Sequence, residues 1–475
     1  MKRLNFKIIA VLSLFAVLSS CAPKLMQKVE DTSIPKAYNK SVDTLNSAQI
    51  NWREYFTDLY LNALIDTALK NNQELNILLQ EVQVSHNEIR ARKGEYLPFI
   101  GIEGEAGVEK VGRYTSQGAN DANTDIRPGV EFPDPLPNYM LGAYATWEID
   151  IWKKLRSAKK SAVLKYLSTV DGKNFMVTHL IAEIANSYYE LLALDNQLEI
   201  INQNIQIQRN ALRIVKLEKQ SAKVTELAVK RFEAQVLGTR SLKYEINQRI
   251  FELENKLNYL VGRYPRPIER SSAQFMDLLP DTIYSGVPSQ LLSLRPDIRQ
   301  AEQELAAEKL DVKVARANFY PSFQISAGVG FNAFKPEYFI RSPESILFSL
   351  IGKLAAPLIN RNAIKAEYYS ANNRQTQAVF NYEKTILNAY VEVANQMSMI
   401  ENLRQKYNLK SQQVDALISS VKISNDLFKS ARADYMEVLL TQRDALESRF
   451  ELIETKKQQM NAMVNMYQAL GGGWN

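Results

Sequence analysis

Residues 71–109 read NNQELNILLQEVQVSHNEIRARKGEYLPFIGIEGEAGVE, and residues 294–331 repeat their order of features as LRPDIRQAEQELAAEKLDVKVARANFYPSFQISAGVGF. In both, a polar helical stretch leads to a proline, Pro98 or Pro321, and then to an apolar and polar alternation. A long pattern that occurs only twice indicates one duplicated unit rather than a solenoid of short repeats. Each half is therefore predicted to contain a helix, two short strands around a loop, and long helices that end at a glycine.

Four segments alternate apolar and polar residues, which is the pattern of a β-strand with two unlike faces. The fourth is the weakest, because Leu347 and Ile351 fall on the wrong parity. Each is about ten residues long, the length of a tilted membrane strand. Alternation alone leaves a membrane barrel and an ordinary half-buried sheet as open alternatives. The predicted strands lie near 97–109, 139–151, 321–332 and 346–357.

Four strands are too few to close a barrel, and an open sheet edge in lipid leaves backbone groups unpaired. If these strands cross a membrane, several chains must therefore share one barrel. Three chains would supply twelve strands. The polar connections 110–137 and 332–343 would then form the outward loops.

Two long runs of the chain favour helices. Residues 138–264 contain no proline, and residues 358–470 contain neither proline nor glycine. Apolar residues in both runs recur by steps of three and four, which is the seam of a coiled coil. Helices of roughly 30–50 residues would be about 45–75 Å long, too long and too polar for a bilayer, so we expect them to stand in water. Hairpin tips are predicted at 221–225 and 430–435, with an uninterrupted helix as the alternative.

The lone cysteine, Cys21, follows a basic start and an apolar run of about a dozen residues, which is the layout of a secretory signal. A free cysteine is usually a small buried hydrophobe, but residues 18–21, Leu-Ser-Ser-Cys, resemble the lipobox of bacterial lipoproteins. We therefore predict a signal peptide over 1–20 and a lipid-modified Cys21. Multiple acyl chains on that residue would anchor the protein durably.

Composition excludes several classes of function. The net charge is +6, and it falls to +3 without the three basic residues of 1–20, which is too weak to favour nucleic-acid binding. The sequence contains two histidines, His86 and His179, and no HExxH, CxxC or Walker-type motif. We expect no catalytic residues, no metal site and no cofactor other than the covalent lipid. A secreted hydrolase is disfavoured for the same reason, because no nucleophile–base pattern occurs.

Five motifs together resemble the outer-membrane factor family of TolC-like efflux proteins, and within it the lipoprotein subgroup of multidrug efflux channels. The resemblance covers residues 51–474, and its most specific elements are the LRPDIRQAE and ALGGGW sequences. The motifs are NWREYFTDLYLNALIDTALKNNQELNILLQEV from 51, WEIDIWKKLRSA from 147, LLSLRPDIRQAEQEL from 291, ARANFYPSF from 315 and YQALGGGW from 467.

The resemblance implies a mainly α protein with membrane β-structure. It implies a homotrimer with a 12-stranded transmembrane β-barrel that continues into a long periplasmic 12-helix α-barrel, built from two structural repeats per chain. Such proteins lie in the outer membrane, reach into the periplasm and act as passive ducts. The implied partners are a periplasmic adaptor protein, an inner-membrane RND-type pump and outer-membrane lipid, with no nucleic acid.

The resemblance also implies a gate at the periplasmic tip, closed by acidic rings and ion pairs. The matching stretch is ADYMEVLLTQRDALES, residues 433–448. Glu437 matches an acidic ring position, whereas Leu440 replaces the usual aspartate one turn on and would form an apolar constriction. Arg443 matches a basic position. Asp434 and Asp444 are its candidate ion-pair partners, or those of Lys230 and Arg231 in the first repeat.

These predictions divide the chain into consecutive parts. A lipidated extended segment over 21–50 follows the signal peptide. The first repeat covers 51–265, a proline-rich linker covers 266–288 and the second repeat covers 289–475. The alternative function is a lipid-anchored periplasmic coiled-coil scaffold without a pore, which would not need matched strands in both halves.

Overall fold

The computed structural model of the protein describes residues 22–38, 44–278, 284–430 and 432–474. The predicted signal peptide over 1–20 and the lipid site Cys21 lie outside the described residues. The chain divides into two compact units. One contains the described part of 1–29 together with Gln83–Leu167 and Gln303–Phe380. The other contains the described parts of Glu30–Val82, Ser168–Glu302 and Asn381–Asn475.

The two halves of the chain contain the same main secondary-structure elements in the same order. Each has a helix, two long strands, a very long helix of 67 or 68 residues and a helix of 35 residues. The helices are α1 Trp52–Tyr55, α2 Leu59–Asn71, α3 Gln73–Tyr96, α4 Ser116–Asp121, α5 Lys154–Gln220, α6 Glu226–Leu260, α7 Leu291–Leu294, α8 Pro296–Ala317, α9 Asn362–Lys429 and α10 Tyr435–Ala469. The strands are β1 Phe99–Glu109, β2 Asp125–Arg127, β3 Val130–Glu131, β4 Leu136–Ile149, β5 Ser322–Ala333 and β6 Ile346–Ala355.

The four long strands form one antiparallel sheet in the order β1-β4-β5-β6, so β1 and β6 are its edges. Every predicted strand is present, and its ends agree with the prediction to within two residues, except that β4 begins three residues earlier. Residue 151, predicted inside the strand, lies in a turn, because Asp150 already begins the connection to α5. The predicted loop after β1 contains structure of its own, namely α4 and the β2–β3 hairpin.

Asp150 fixes the point at which β4 gives way to α5. Its carboxylate is buried and accepts hydrogen bonds from the backbone N–H groups of Leu155 at 3.0 Å and Arg156 at 2.9 Å. Backbone N–H groups at a helix start lack partners within the helix, and an acidic side chain there also faces the positive end of the helix dipole. The Arg156 guanidinium donates to the same carboxylate at 3.1 Å. The motif WEIDIWKKLRSA thus encodes a strand end, a cap and a helix start.

The apolar core of the second unit surrounds the middle of the long helices. Tyr188, Leu191 and Ile201 of α5 are fully buried there, with Leu257 of α6 and Met463 of α10 in the same cluster. The heptad seam predicted for the first long run is buried or half-buried throughout. None of the described helices combines the length and the apolar character needed to cross a membrane.

The two most specific sequence motifs contact each other in the second unit. Arg295, only 4% exposed, donates to the Ala469 carbonyl at 2.8 Å and to the carboxylates of Asp297 and Glu392, both at 2.7 Å. Burial by itself would lower the pKa of the Arg295 guanidinium, but both carboxylates outweigh it and the pKa lies above its ordinary value. The Trp474 indole donates to the Leu294 carbonyl at 3.1 Å. LRPDIRQAE and ALGGGW therefore form one lock.

Gly471 allows the chain to turn at this lock, because it has φ of +90° and an added Cβ would lie 2.6 Å from the Leu294 carbonyl oxygen. We predict that Gly471→Ala lowers the free energy of unfolding by about 1–3 kcal/mol, from strained backbone and this close contact. Thermal unfolding followed by tryptophan fluorescence measures the loss. The control is Gly94→Ala in α3, where a Cβ meets nothing within 4 Å. A stability equal to wild type for Gly471→Ala would contradict the lock.

Candidate functional site

The long sheet separates its residues into two unlike faces. Register pairs Ile102 with Ala143, Ala143 with Val329, and Val329 with Phe348, so these four side chains share one face. That face is apolar along all four strands. The other face carries the polar residues of the same strands, including Glu103, Glu105, Thr146, Glu148, Gln324, Ser326, Ser349 and Lys353. Leu347 and Ile351, the two residues of wrong parity, lie on the polar face opposite Gly330 and Ser326.

The apolar face is uncovered within one chain. Phe348 is 83% exposed, Ile102 is 80% exposed and Leu350 is 77% exposed. Contiguous exposed apolar surface of this kind marks a contact with lipid or protein. The outer edges of β1 and β6 also have no neighbouring strand among the described residues. The sheet is thus incomplete at both its face and its edges.

Aromatic side chains gather where the strands join the helices. Trp152 stacks on Tyr320 with ring centroids 4.7 Å apart, and its indole donates to the Pro321 carbonyl at 2.7 Å. Trp147, at the same end of the sheet, donates to the Tyr96 carbonyl at 3.2 Å. Amphipathic aromatic rings at this level are typical of the girdle between an apolar band and water.

Both predicted hairpin tips are present as breaks between long helices. The first lies between α5 and α6, and the second lies between α9 and α10. An equivalent hydrogen bond closes each tip, from the Lys223 N–H to the Glu218 carbonyl and from the Arg432 N–H to the Leu427 carbonyl, both at 2.9 Å. The alternative of an uninterrupted helix is wrong at both positions.

The two tips pack against each other through a small apolar cluster. Val215 of α5, Phe232 of α6 and Leu439 of α10 are its larger buried members. One turn further from the tip, Gln208 and Gln442 are both buried, yet neither amide atom of either residue has a hydrogen-bond partner among the described residues. An unpaired buried amide costs about 1–3 kcal/mol, so the tip is held together less strongly than the core above it.

The predicted gate residues lie on this tip and face away from the cluster. Glu437 and Leu440 are exposed on α10, while the intervening Val438 and Leu439 are buried. Asp434 precedes α10, and its side chain caps no backbone N–H. Glu437 and Leu440 therefore begin an exposed stripe of α10, which continues through Asp444, Glu447 and Glu451.

The ion pairs at the tips differ from several of the candidate pairings. Arg443 contacts the adjacent Asp444 at 3.0 Å. Lys230 contacts Glu233 at 3.0 Å, and among the described residues of one chain it makes no ion pair with Asp434 or Asp444. The Arg231 guanidinium contacts the Met436 sulfur. The hydrogen bond from Lys230 lowers the pKa of the Glu233 carboxyl below its ordinary value.

Sequence reasoning missed Glu233 because a single acid on a polar helix has no distinguishing neighbour in sequence. A charge three residues away on the same helix, Lys230, is the one signal that could have found it. The amides of Gln208 and Gln442 were equally hidden, because their burial depends on which helices face each other. Within the described residues, no group of three or more His, Cys, Asp or Glu residues lies so as to hold a metal ion.

Comparison with known proteins gives consistent matches along nearly the whole chain. The family described as outer membrane efflux protein matches residues 64–263 and 287–472. The pyoverdine export outer membrane protein OpmQ of Pseudomonas aeruginosa is 26% identical over 423 residues, covering 89% of this chain and 87% of OpmQ. The probable outer membrane lipoprotein SilC of Salmonella typhimurium is 24% identical over 480 residues, covering 99% of each chain.

The fold also matches solved structures. The open state of the MtrE outer membrane channel of Neisseria gonorrhoeae superposes with a TM-score of 0.83 at 20% identity. The match covers 96% of this chain and 98% of MtrE. At that level of identity the likeness establishes the fold, and the two-faced sheet and paired hairpins described above belong to it.

Proposed function

This chain belongs to the outer membrane efflux protein family, whose members are transport channels and not enzymes, and from that premise we propose that three copies form the exit duct of a tripartite efflux system. The observation that carries the proposal is the incomplete sheet, with one apolar face and two open edges. The duct would conduct passively. A periplasmic adaptor protein and an inner-membrane RND-type pump would deliver the substrate and supply the energy.

The number of chains follows from closure of the sheet. Pairing the β6 edge of one chain with the β1 edge of the next joins unlike surfaces, and such head-to-tail contacts make a ring when the rotation closes. Three copies of a four-stranded sheet give a closed barrel of twelve antiparallel strands. Closure satisfies every backbone group that an open edge would leave unpaired in lipid. Twelve helices from α5, α6, α9 and α10 would form the periplasmic continuation.

The direction of the faces follows from their chemistry. The apolar face would contact lipid, and the polar face with Glu103, Glu105 and Glu148 would line a wet lumen. The long strands have 10 to 14 residues, enough to cross the apolar layer at a tilt. The lipid predicted on Cys21 would add a second attachment to the same membrane. SilC, a relative of nearly equal length, is named as a probable lipoprotein.

The test of this assembly is the mass of the intact protein. Purified full-length chain in mild detergent should have the mass of three chains by native mass spectrometry. A monomer or dimer that needs no detergent to stay soluble would contradict the barrel and favour the alternative, a lipid-anchored periplasmic coiled-coil scaffold.

The hairpin tips are proposed as the gate of the duct. Glu437 and Leu440 are exposed in a single chain and would meet their copies around the three-fold axis. Arg443 with Asp444, and Lys230 with Glu233, are exposed ion pairs within single helices, so neither pair ties one helix to another. The buried amides of Gln208 and Gln442, which have no hydrogen-bond partner among the described residues, therefore support a tip that an adaptor protein can open at modest cost.

We predict that the double substitution Glu437→Ala and Leu440→Ala makes the outer membrane leaky. Removing the charge and the apolar side chain widens the proposed constriction, so vancomycin, normally excluded by its size, should enter Gram-negative cells that express the variant. The expected result is at least a fourfold lower minimum inhibitory concentration. Glu401→Ala with Leu409→Ala, an exposed acid and leucine on α9 far from the tip, is the matched control. If the two variants are equally sensitive to vancomycin, the gate does not lie at Glu437 and Leu440.

A further inference from the structure

All four junctions between long strands and helices lie at one end of the sheet. The start of β1 pairs with the end of β4, and the start of β5 pairs with the ends of β4 and β6. Helices α3, α5, α8 and α9 therefore leave the sheet from the same end. We define the basic collar as the four junction segments 90–98, 150–161, 313–321 and 356–366, all of which belong to the same compact unit.

The basic collar concentrates positive charge that the chain as a whole lacks. It contains twelve Lys and Arg residues against two acids, whereas the whole chain has a net charge of +6. The rest of the chain is therefore net negative. Both acids are already paired, Glu95 with Arg92 and Asp150 with Arg156.

Most of the collar charges have no acidic partner among the residues that the structure describes. Lys93 on α3, Lys160 on α5, Lys313 on α8 and Lys365 on α9 are all exposed, and none of them makes an ion pair within the described parts of the chain. Like charges crowded at one level repel each other, and this repulsion is relieved when they meet an anionic partner.

We propose that the basic collar binds the anionic phospholipid headgroups of the membrane leaflet that faces the periplasm. The proposal rests on the proposed function, in which the strands cross the outer membrane. The headgroup region is about 5–8 Å deep on each side of the hydrocarbon layer. The helical part of each collar segment is about 8–12 Å long, so the collar covers this depth and extends slightly beyond it. Basic side chains at that depth attract anionic lipid, and the attraction falls off within a Debye length.

Three observations favour lipid over an acidic protein partner. The exposed apolar face of the sheet ends at the collar. The sheet would therefore contact the lipid chains, and the collar would contact the headgroups next to them. Trp152 and Tyr320 stack at the same level, as expected at a headgroup boundary. Ala22 and Leu25 pack against the small apolar cluster that contains Ala315 and Phe319, so the segment that follows the predicted lipid site also lies here.

Tryptophan quenching by brominated lipid tests the proposal. Trp147, next to the collar, and Trp152, within it, are 37% and 40% exposed and serve as natural reporters. The full chain would be reconstituted in mixtures of phosphatidylglycerol and phosphatidylcholine with identical acyl chains, either lipid being brominated near its headgroup. The relative quenching gives the preference for the anionic lipid. The variant replaces Lys93, Lys160, Lys313 and Lys365 with Gln, one exposed lysine on each helix.

Wild type should favour phosphatidylglycerol by roughly fivefold, and the preference should fall to nearly one in the variant or in 1 M salt. The matched control replaces four exposed lysines of the other unit and should keep the wild-type preference. These lysines make no ion pair among the described residues, and they are Lys70, Lys223, Lys384 and Lys422.

Failure of the collar and failure of the proposed function give different results. Quenching by both brominated lipids without preference would overturn the collar but leave the membrane strands in place. Quenching by neither lipid would overturn both. A preference that persists in the variant would overturn the assignment to these lysines. Loss of adaptor cross-linking in the variant, with no lipid preference in wild type, would assign the surface to an acidic protein partner instead.

Discussion

Arg295→Met is expected to lower the free energy of unfolding by about 1.5–3 kcal/mol, because it removes the charged hydrogen bonds from a buried guanidinium to the carboxylates of Asp297 and Glu392. It also removes the donor to the Ala469 carbonyl, which joins the start of α8 to the end of α10. Scanning calorimetry on the purified protein in detergent measures the loss. This prediction concerns the second unit alone, and it holds whether or not the chains form a barrel.

Arg404→Met is the matched control for Arg295→Met. Arg404 lies on α9 and pairs with Glu401 at 2.9 Å, but both side chains are exposed. Exposed ion pairs contribute little to stability, so the melting temperature of the Arg404→Met variant should stay near that of wild type. Equal, small effects of the two substitutions would show that the lock between the two motifs contributes little to stability.

Leu350→Arg is expected to prevent assembly in the outer membrane. Leu350 lies at the middle of β6 on the apolar face, opposite Ala327, and an arginine at the midplane of a lipid-facing strand costs about 2–4 kcal/mol. Because the proposed trimer has three copies of the site, the cost is incurred three times in one barrel. The measurement is the amount of heat-resistant trimer in isolated outer membranes, which should fall at least tenfold.

Ser349→Arg is the matched control, one residue away on the opposite face of the same strand. There the added guanidinium would extend into the lumen, and normal amounts of trimer should form. Equal loss for both substitutions would mean that β6 does not separate lipid from water. Equal tolerance would mean that the apolar face does not contact lipid at all.

The strands of the sheet could be predicted closely, because the apolar and polar alternation of a strand has a period of two and can be read within each strand alone. The parity of β1, β4 and β5 is enough to assign both faces. In β6 the parity is mixed, and only the register with β5 shows that Leu347 and Ile351 lie on the polar face, opposite Gly330 and Ser326. A strand with bulky side chains on both faces cannot be oriented from its own sequence.

The hairpin tips could be predicted because small and polar residues interrupt each helical seam. The predicted breaks at 221–225 and 430–435 agree with the ends of the helices at Gln220 and Lys429. Side-chain partners at the tips could not be predicted, because they depend on how two helices are rotated against each other. Lys230 thus pairs with Glu233 on its own helix and, among the described residues of one chain, makes no ion pair with Asp434 or Asp444 of the other repeat.

The motifs LRPDIRQAE and ALGGGW illustrate the same limit. Both motifs could be recognised in the sequence. Their contact joins residues 295 and 469, which are far apart in the chain, so it can be found only from the fold. In the sequence, a buried arginine beside a proline cannot be distinguished from an exposed one. Gly471 is explained by the closeness of the Leu294 carbonyl, and Gly472 by the closeness of the Tyr467 ring, neither of which can be seen in the sequence.

Single-channel conductance in planar bilayers tests the central claim most directly, that this chain forms a pore through a shared barrel. Purified wild-type protein should insert and give discrete current steps of uniform size. The Leu350→Arg variant should give none, and Ser349→Arg should give steps of reduced size, because an added side chain narrows the lumen. A wild-type protein that binds the bilayer through its lipid anchor without any conductance, and that stays monomeric, would contradict the account.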